Sequence, residues 1–510
     1  MFFNFLLVFL AIFTRFWGLN WGNNFFFHPD ENNMAIAVSQ LSSTNLHPHF
    51  FAYGQFPLYL AHFSMKAVGL TNTPPNSVYT LRFWSATFSC LFILFSYLLF
   101  RSKILTLLLT FTPGLIQIAH FGTTESLLLL VFAVNLYLSF LALKKPKPLY
   151  FFLISLVTGI SLATKISSLI FLAPTFLILP FLKLKNKLYL PLIVSYVLLF
   201  AFIFFLIFSP YNLIAHPDFL STMRYETEVA LGKIHVFYTN QFLHTTPYLF
   251  QITHIFPYTS GLPIFIFGLI GLCFLRRPTA KLALVLISSL IYFLYFGQVY
   301  AKWTRFVSPI FFIFPLLTTI LIEKLNKLSQ KNFSISLINK FILIISIIPG
   351  ILFMKLYFLP DIRLTASNWI SQNIPPNSII LSEAGNVIDI PVSNHTLRLT
   401  NFDFYSLDSN SNLTNSLPQQ IFQSDYILIP SRRIFKNQNN PSYPYSQRYY
   451  SSLFNGSLGF KEIRKFTLFN DESAEETWSV FDHPNIRIYQ KTKQLELKQY
   501  EDLLNSPSSS

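Results

Sequence analysis

Long apolar runs, rather than alternating or amphipathic patterns, dominate the first 354 residues. A bilayer core about 30 Å thick takes roughly 20 apolar residues as helix. The runs predict eleven membrane-spanning helices, over about 2–19, 81–100, 104–121, 125–143, 149–164, 166–182, 188–209, 256–275, 279–297, 305–322 and 335–354. Residues 104–143 would reach about 60 Å as one helix and must fold back, with Pro113, Gly114 and Gly122 as the break. Residues 149–182 would reach about 51 Å and bend at Lys165. The first run lacks the basic start and small-residue cleavage site of a signal peptide, so it is expected to remain a span. Two polar loops are long, about 20–80 and 210–255. After residue 354 the pattern changes to short mixed segments rich in Asn, Ser and Pro. There Ala366–Asn373 reads as a helix, and Ser378–Ser382, Asp425–Pro430 and Asn485–Gln490 as strands. The expected organisation is therefore a membrane domain over 1–354 and a small α/β domain over 355–510, with Asn505–Ser510 a frayed end. No internal repeat is evident.

Composition narrows the class. Hydrophobic residues make up 52% of the 510 and charged residues only 12%, against about 25% charged in soluble domains. That excludes an ordinary soluble protein, a disordered chain and a small disulfide scaffold. Cys90 and Cys273 both lie in apolar runs, so neither a disulfide nor a cysteine metal site is expected. The net charge of +15 taken alone would suggest nucleic acid, but its distribution follows the loops. With the N-terminus inside, the inner loops hold 15 basic residues and one acid, Glu323; the outer side holds 8 basic and 6 acidic residues. This is the positive-inside pattern. It predicts N-in, C-out topology, with the long loops and the C-terminal domain extracytoplasmic, and no nucleic-acid partner.

The inner loops carry no glycine-rich phosphate loop, whereas each outer tip carries an ionisable group, which is costly at membrane depth and needs a reason. The sharpest sequence is Phe25-Phe26-Phe27-His28-Pro29-Asp30-Glu31. An adjacent acid pair can act as a general base or bind a cation; the bland alternative is an acidic first turn of a helix. Glu125, the lone acid between residues 32 and 217, has the same two readings. Lys165 at an outer tip could bind an anion or snorkel to headgroups. Lys302, Arg305, Arg15 and Arg82 could complete a phosphate pocket or touch lipid headgroups. His28 and Glu226 are further candidates. His28, His120 and His216 lack zinc-type spacing, so no metal site is assigned; a divalent cation at the acid pair is the alternative to a base, and no cofactor is otherwise implied.

These residues resemble a known family. A first span ending in Arg15-Phe16-Trp17-Gly18-Leu19, followed by His28-Pro29-Asp30-Glu31, is similar to the GT-C glycosyltransferases. The protein O-mannosyltransferases and the aminoarabinose lipid A transferases are the groups it most resembles. His120–Glu125, Gly159–Lys165, Ser209-Pro210-Tyr211, Lys302–Pro309 and the stretch 363–383 with Trp369, Ile374-Pro375 and Ser382-Glu383 follow in that family's order. The resemblance implies a GT-C fold and a hexosyl- or pentosyltransferase of the mannosyltransferase type. Its substrates would be a polyprenyl-phosphate-linked sugar and a protein, lipid or glycan acceptor at the outer membrane face, with inversion at the anomeric carbon. It maps the catalytic acid to Asp30 beside Glu31, and donor-phosphate binding to Lys165 with Arg305 and Lys302. Many members carry Asp where this chain has Glu125, which leaves the role of Glu125 open. The rival readings are a transporter or flippase of lipid-linked sugars, which would place charges near the midplane of repeated halves, and a non-enzymatic scaffold.

Overall fold

A computed structural model describes residues 2–184, 186–329, 333–384, 389–392, 396–437 and 441–505; the expected frayed end, beyond Asn505, lies outside them. Among the described residues, five helices are long and apolar enough to cross a membrane: Pro74–Phe100, Glu125–Lys144, Tyr189–Phe208, Ala280–Gly297 and Phe333–Phe358. Two bent pairs, Lys103–Thr110 with Pro113–His120 and Thr304–Ile310 with Ile313–Leu328, raise the number to seven if each is one span. Four shorter apolar helices, Asn4–Phe16, Pro148–Leu162, Ile166–Phe181 and Leu262–Leu272, complete the set. These helices overlap the eleven apolar segments read from the sequence, of which five to seven are long and apolar enough to count as spans. The protein is an α-helical membrane protein.

The break within 104–143 separates two roles that the sequence merged. Pro113 stands at the start of the Pro113–His120 helix and bends that pair by 58°, because its ring lacks the N–H that would bond four residues back. The fold-back comes later, at Phe121–Thr124, ahead of the Glu125–Lys144 helix. The carbonyl that Pro113 leaves without its helical donor belongs to Leu109, and Arg15 Nη2 donates to it at 2.8 Å. Arg15 Nη1 donates to Thr110 O and Thr14 Oγ1, and Nε to Ser89 Oγ. The fully buried Arg15 guanidinium therefore closes the end of the broken helix.

The chain divides into two compact units. The first comprises residues 1–20, 30–230 and 246–358. The second contains 359–510, together with Trp21–Pro29 and Leu231–Thr245, so the boundary expected at 354 omits two short stretches. The second unit is built on a five-stranded sheet in the order β2-β1-β3-β5-β4, with β1 Ile379–Ala384, β2 Arg398–Asp403, β3 Tyr426–Ile429, β4 Phe460–Phe466 and β5 Ile486–Lys491. β1 pairs parallel to β2 and β3; β5 pairs antiparallel to β3 and β4. Strand alternation sends Ile380, Leu428 and Ile488 to one face, against Ile362, Ala366 and Ile370 of the Ile362–Asn373 helix. Leu381, Ile427 and Tyr489 go to the other, against Leu417, Ile421, Tyr449, Leu453 and Leu504. Each such buried aliphatic side chain contributes about 1.5–3 kcal/mol. The two outlying stretches join by specific contacts. Phe237 enters the second cluster, the Gln241 side chain donates to Glu475 and accepts from the Glu476 amide, and the Arg363 guanidinium lies 3.6 Å over the Phe27 ring.

Candidate active site

Asp30 and Glu31 occupy the first turn of the Pro29–Gln40 helix, as the bland reading expects. Their carboxylates nevertheless have different partners, because consecutive helical residues point about 100° apart. Glu31 is fully buried. Arg82 grips it through two guanidinium donors, Nε to Oε2 at 2.9 Å and Nη2 to Oε1 at 2.6 Å. The Gly122 amide donates to Oε2 at 2.7 Å, and Arg82 Nη1 donates to Leu19 O. One carboxylate thus ties the start of this helix to the Pro74–Phe100 helix and to the fold-back before Glu125. The approach needs glycine: a Cβ on Gly122 would lie 2.8 Å from Leu81 Cβ and 3.2 Å from Glu31 Oε2.

Asp30 is half-buried and forms an ion pair with Arg305, at the start of the helical turn Thr304–Ile310. Arg305 Nη1 also donates to the Tyr53 hydroxyl at 3.2 Å, and its guanidinium stacks 5.0 Å from the Trp303 ring centroid. The Tyr53 ring lies 5.7 Å from Lys165 Nζ, and Phe306 covers the same ammonium at 5.0 Å. Lys165 and Arg305 share the lining of a narrow cleft with Phe171, Tyr292 and Phe306.

Local backbone pairing brings these groups together. The Gly54 amide donates to Thr164 O and the Phe56 amide to Ala163 O, which holds the first long loop against the turn carrying Lys165. A Cβ on Gly54 would fall 2.0 Å from Ala163 O, so no larger residue fits without moving that turn. Gln55 fixes the far side of the loop: its amide N–H donates to Ser209 Oγ, its side chain donates to Asn212 Oδ1, and its Oε1 accepts from the Tyr211 amide. The Ser209-Pro210-Tyr211 element therefore anchors the loop that presents Tyr53.

Glu125 and Glu226 are the acids whose fields reach Lys165. Burial pulls the Lys165 ammonium below its ordinary value and both carboxylates oppose that shift. Glu125 is buried at the first turn of its helix. Glu226 keeps an exposed surface, yet burial pushes its carboxyl above the usual range while Lys165 pulls it back.

The sequence candidates separate accordingly. Asp30 pairs with Arg305, Arg305 and Lys165 meet at Tyr53, and the fields of Glu125 and Glu226 reach Lys165. Glu31 and Arg82 form their own buried pair, and Arg15 closes the broken helix. Lys302 is buried, with Nζ donating to Tyr300 O at 2.9 Å. His28 belongs to the second unit, its ring 4.2 Å from that of Phe481. Among the described residues, no group of three or more His, Cys, Asp or Glu side chains could hold a metal ion. Sequence reasoning missed Tyr53, Gly54 and Gln55.

No family model matches the chain, and no curated protein matches it. Among solved structures it is similar to ArnT from Cupriavidus metallidurans bound to undecaprenyl phosphate, with a TM-score of 0.47 and 11% identity over 95% of this chain and 96% of that one. The apo state of the same protein gives 0.48 and 12%, over 96% of each chain.

Proposed function

We propose that the chain is an integral membrane glycosyltransferase that moves a sugar from a polyprenyl-phosphate donor to a protein, lipid or glycan acceptor on the extracytoplasmic side. The observation that carries this reading is the convergence of one accessible carboxylate, Asp30, with the two cations Arg305 and Lys165 around Tyr53. An acceptor hydroxyl attacks the anomeric carbon and its proton passes to the Asp30 carboxylate. The bond from that carbon to the phosphate oxygen breaks, and polyprenyl phosphate leaves with the electron pair. This single displacement inverts the anomeric centre. A positioned base contributes about 10²–10⁴-fold; fixed cations aimed at the developing phosphate charge work best where water is excluded. Arg305 pairs with Asp30, and Glu125 and Glu226 balance Lys165. The arriving phosphate takes over both cations, which frees Asp30 to accept a proton. Glu226, already pushed toward its neutral form by burial, is the acid that gives way.

Turnover of a polyprenyl-phosphate sugar by the purified protein in lipid vesicles tests this reading. Wild type should release polyprenyl phosphate in step with sugar transfer. Lys165→Ala should lose about 1.5–3 kcal/mol of donor binding, the worth of a charge-assisted contact. Movement of the intact lipid-linked sugar across the bilayer without cleavage would replace the enzyme by the transporter.

A further inference from the structure

Away from this site, two lysines lie over aromatic rings at a meeting of helix ends. Three helix ends, Phe100 of Pro74–Phe100, Lys144 of Glu125–Lys144 and Lys281 of Ala280–Gly297, meet around two aromatic rings. Lys144 Nζ lies 4.5 Å from the Phe140 ring centroid, and Lys281 Nζ lies 5.9 Å from the same ring and 5.3 Å from Phe100. Arg101, Lys103, Lys145 and Lys147 flank them in sequence. Among the described residues, Glu323 is the acid that acts on Lys281, and it accepts a hydrogen bond from Ser102 Oγ at 2.9 Å. Two ammonium groups held on one ring repel each other, and a single carboxylate answers one of them.

We infer that this cluster is a binding site for the phosphodiester headgroup of an anionic phospholipid. Depth supports a lipid. Lys144 is nineteen residues from Glu125 along one helix, about 29 Å at helical rise, which is the thickness of a bilayer core. The cluster therefore lies at the opposite headgroup level from the Asp30 site. Chemistry supports a phosphate, since lysines are point charges that accept a phosphodiester without bidentate geometry, and basic pockets between helices at headgroup level are of the kind that hold anionic lipids. Exposed Leu94, Ile287 and Leu290 on the same helices provide apolar surface for acyl chains, which free phosphate would not use.

Native mass spectrometry of the purified full-length protein, titrated with phosphatidylglycerol or phosphatidylcholine in neutral detergent, tests the site. Wild type should retain phosphatidylglycerol preferentially. The Lys144→Gln/Lys281→Gln double variant should weaken that binding by about fivefold per lysine. The charge-keeping pair Lys144→Arg/Lys281→Arg should preserve it, which separates loss of charge from loss of fold. Three results would overturn the inference: equal retention of phosphatidylcholine, unchanged binding in the glutamine pair, or lost preference in the arginine pair. Inorganic phosphate is the remaining arm. Displacement of the lipid by phosphate at matching concentration would make this a free-anion site and end the lipid assignment.

Discussion

Asp30 and Glu31 are chemically near-identical neighbours, and the protein uses them in opposite ways. Each carboxylate faces an arginine brought from far along the chain. Glu31 is fully buried, with both oxygens occupied by Arg82 and one also bonded to the Gly122 amide. Asp30 and its partner Arg305 keep 23% and 27% of their side-chain surface accessible. A saturated buried pair cannot exchange partners without leaving a charge stranded in low dielectric. A half-open pair can, because water or an incoming anion compensates each charge as it moves. The difference teaches that position in the sequence motif does not assign chemistry here: burial and saturation make Glu31 a clip and leave Asp30 accessible.

The largest expected effect falls on the open member. Asp30→Asn keeps shape and helix-start preference but cannot take a proton at neutral pH. Sugar transfer should fall by roughly 10²-fold or more while the thermal unfolding midpoint stays near wild type. Near-normal transfer would remove the base assignment. Glu31→Gln should do the reverse. It leaves the Arg82 charge buried without its counter-charge, and breaking such a pair costs about 3–5 kcal/mol. The unfolding midpoint should drop clearly, and the protein that remains folded should retain most of its specific activity. A stable but inactive Glu31→Gln protein would erase the distinction drawn between the two acids.

Much of this was legible in the sequence, and the limits have physical causes. All eleven apolar segments are helical, since apolar run length reports directly on burial or membrane contact. Asp30, Lys165 and Arg305 stood out because ionised groups at span ends are rare. The partners were not legible. Arg82 and Arg15 resembled phosphate ligands because a sequence shows charge, not what neutralises it; one is held by Glu31, the other by the carbonyls of Leu109 and Thr110 at the broken helix end. Tyr53 was invisible because one tyrosine among 25 has no signature until Gly54 pairs with Thr164. Strands β2 and β4 were missed for another reason. Both are sheet edges, and their exposed polar residues carry little hydrophobic alternation.

A third arrangement, in the second unit, sharpens the comparison by making the cation titratable. His483 is fully buried between Asp471, 2.8 Å from Nε2, and Asp482, 2.6 Å from Nδ1. Burial opposes its charge, and the two carboxylates outweigh burial, so the ring is pushed up to about 9. Its ordinary value is near 6.5, so the folded form holds the proton more tightly than the unfolded one. That stabilisation is complete below about pH 6.5 and is lost as pH rises through about 9, a change of about 3 kcal/mol. Thermal unfolding followed from pH 6 to 10 should show a declining midpoint that His483→Gln flattens. A midpoint that rises over this range would show that the ring is neutral in the folded unit.

The smallest effect tests whether the open pair depends on its neighbours. The Tyr53 hydroxyl accepts from Arg305 while its ring lies under Lys165, so one side chain sets the spacing of the two cations. Tyr53→Phe keeps the ring, and with it the Lys165 contact, but removes the hydroxyl that fixes Arg305. A net hydrogen bond is worth about 1 kcal/mol, which corresponds to about a fivefold rise in KM for the lipid-linked donor. The effect should fall on KM, because the hydroxyl orients a binding cation and takes no part in proton transfer to Asp30. Tyr53→Leu removes ring and hydroxyl together and should raise KM further without a matching fall in kcat. If instead kcat drops in Tyr53→Phe while KM holds, the hydroxyl acts on the reacting atoms. The Asp30–Arg305 pair would then owe its reactivity to a third group and not to its openness alone.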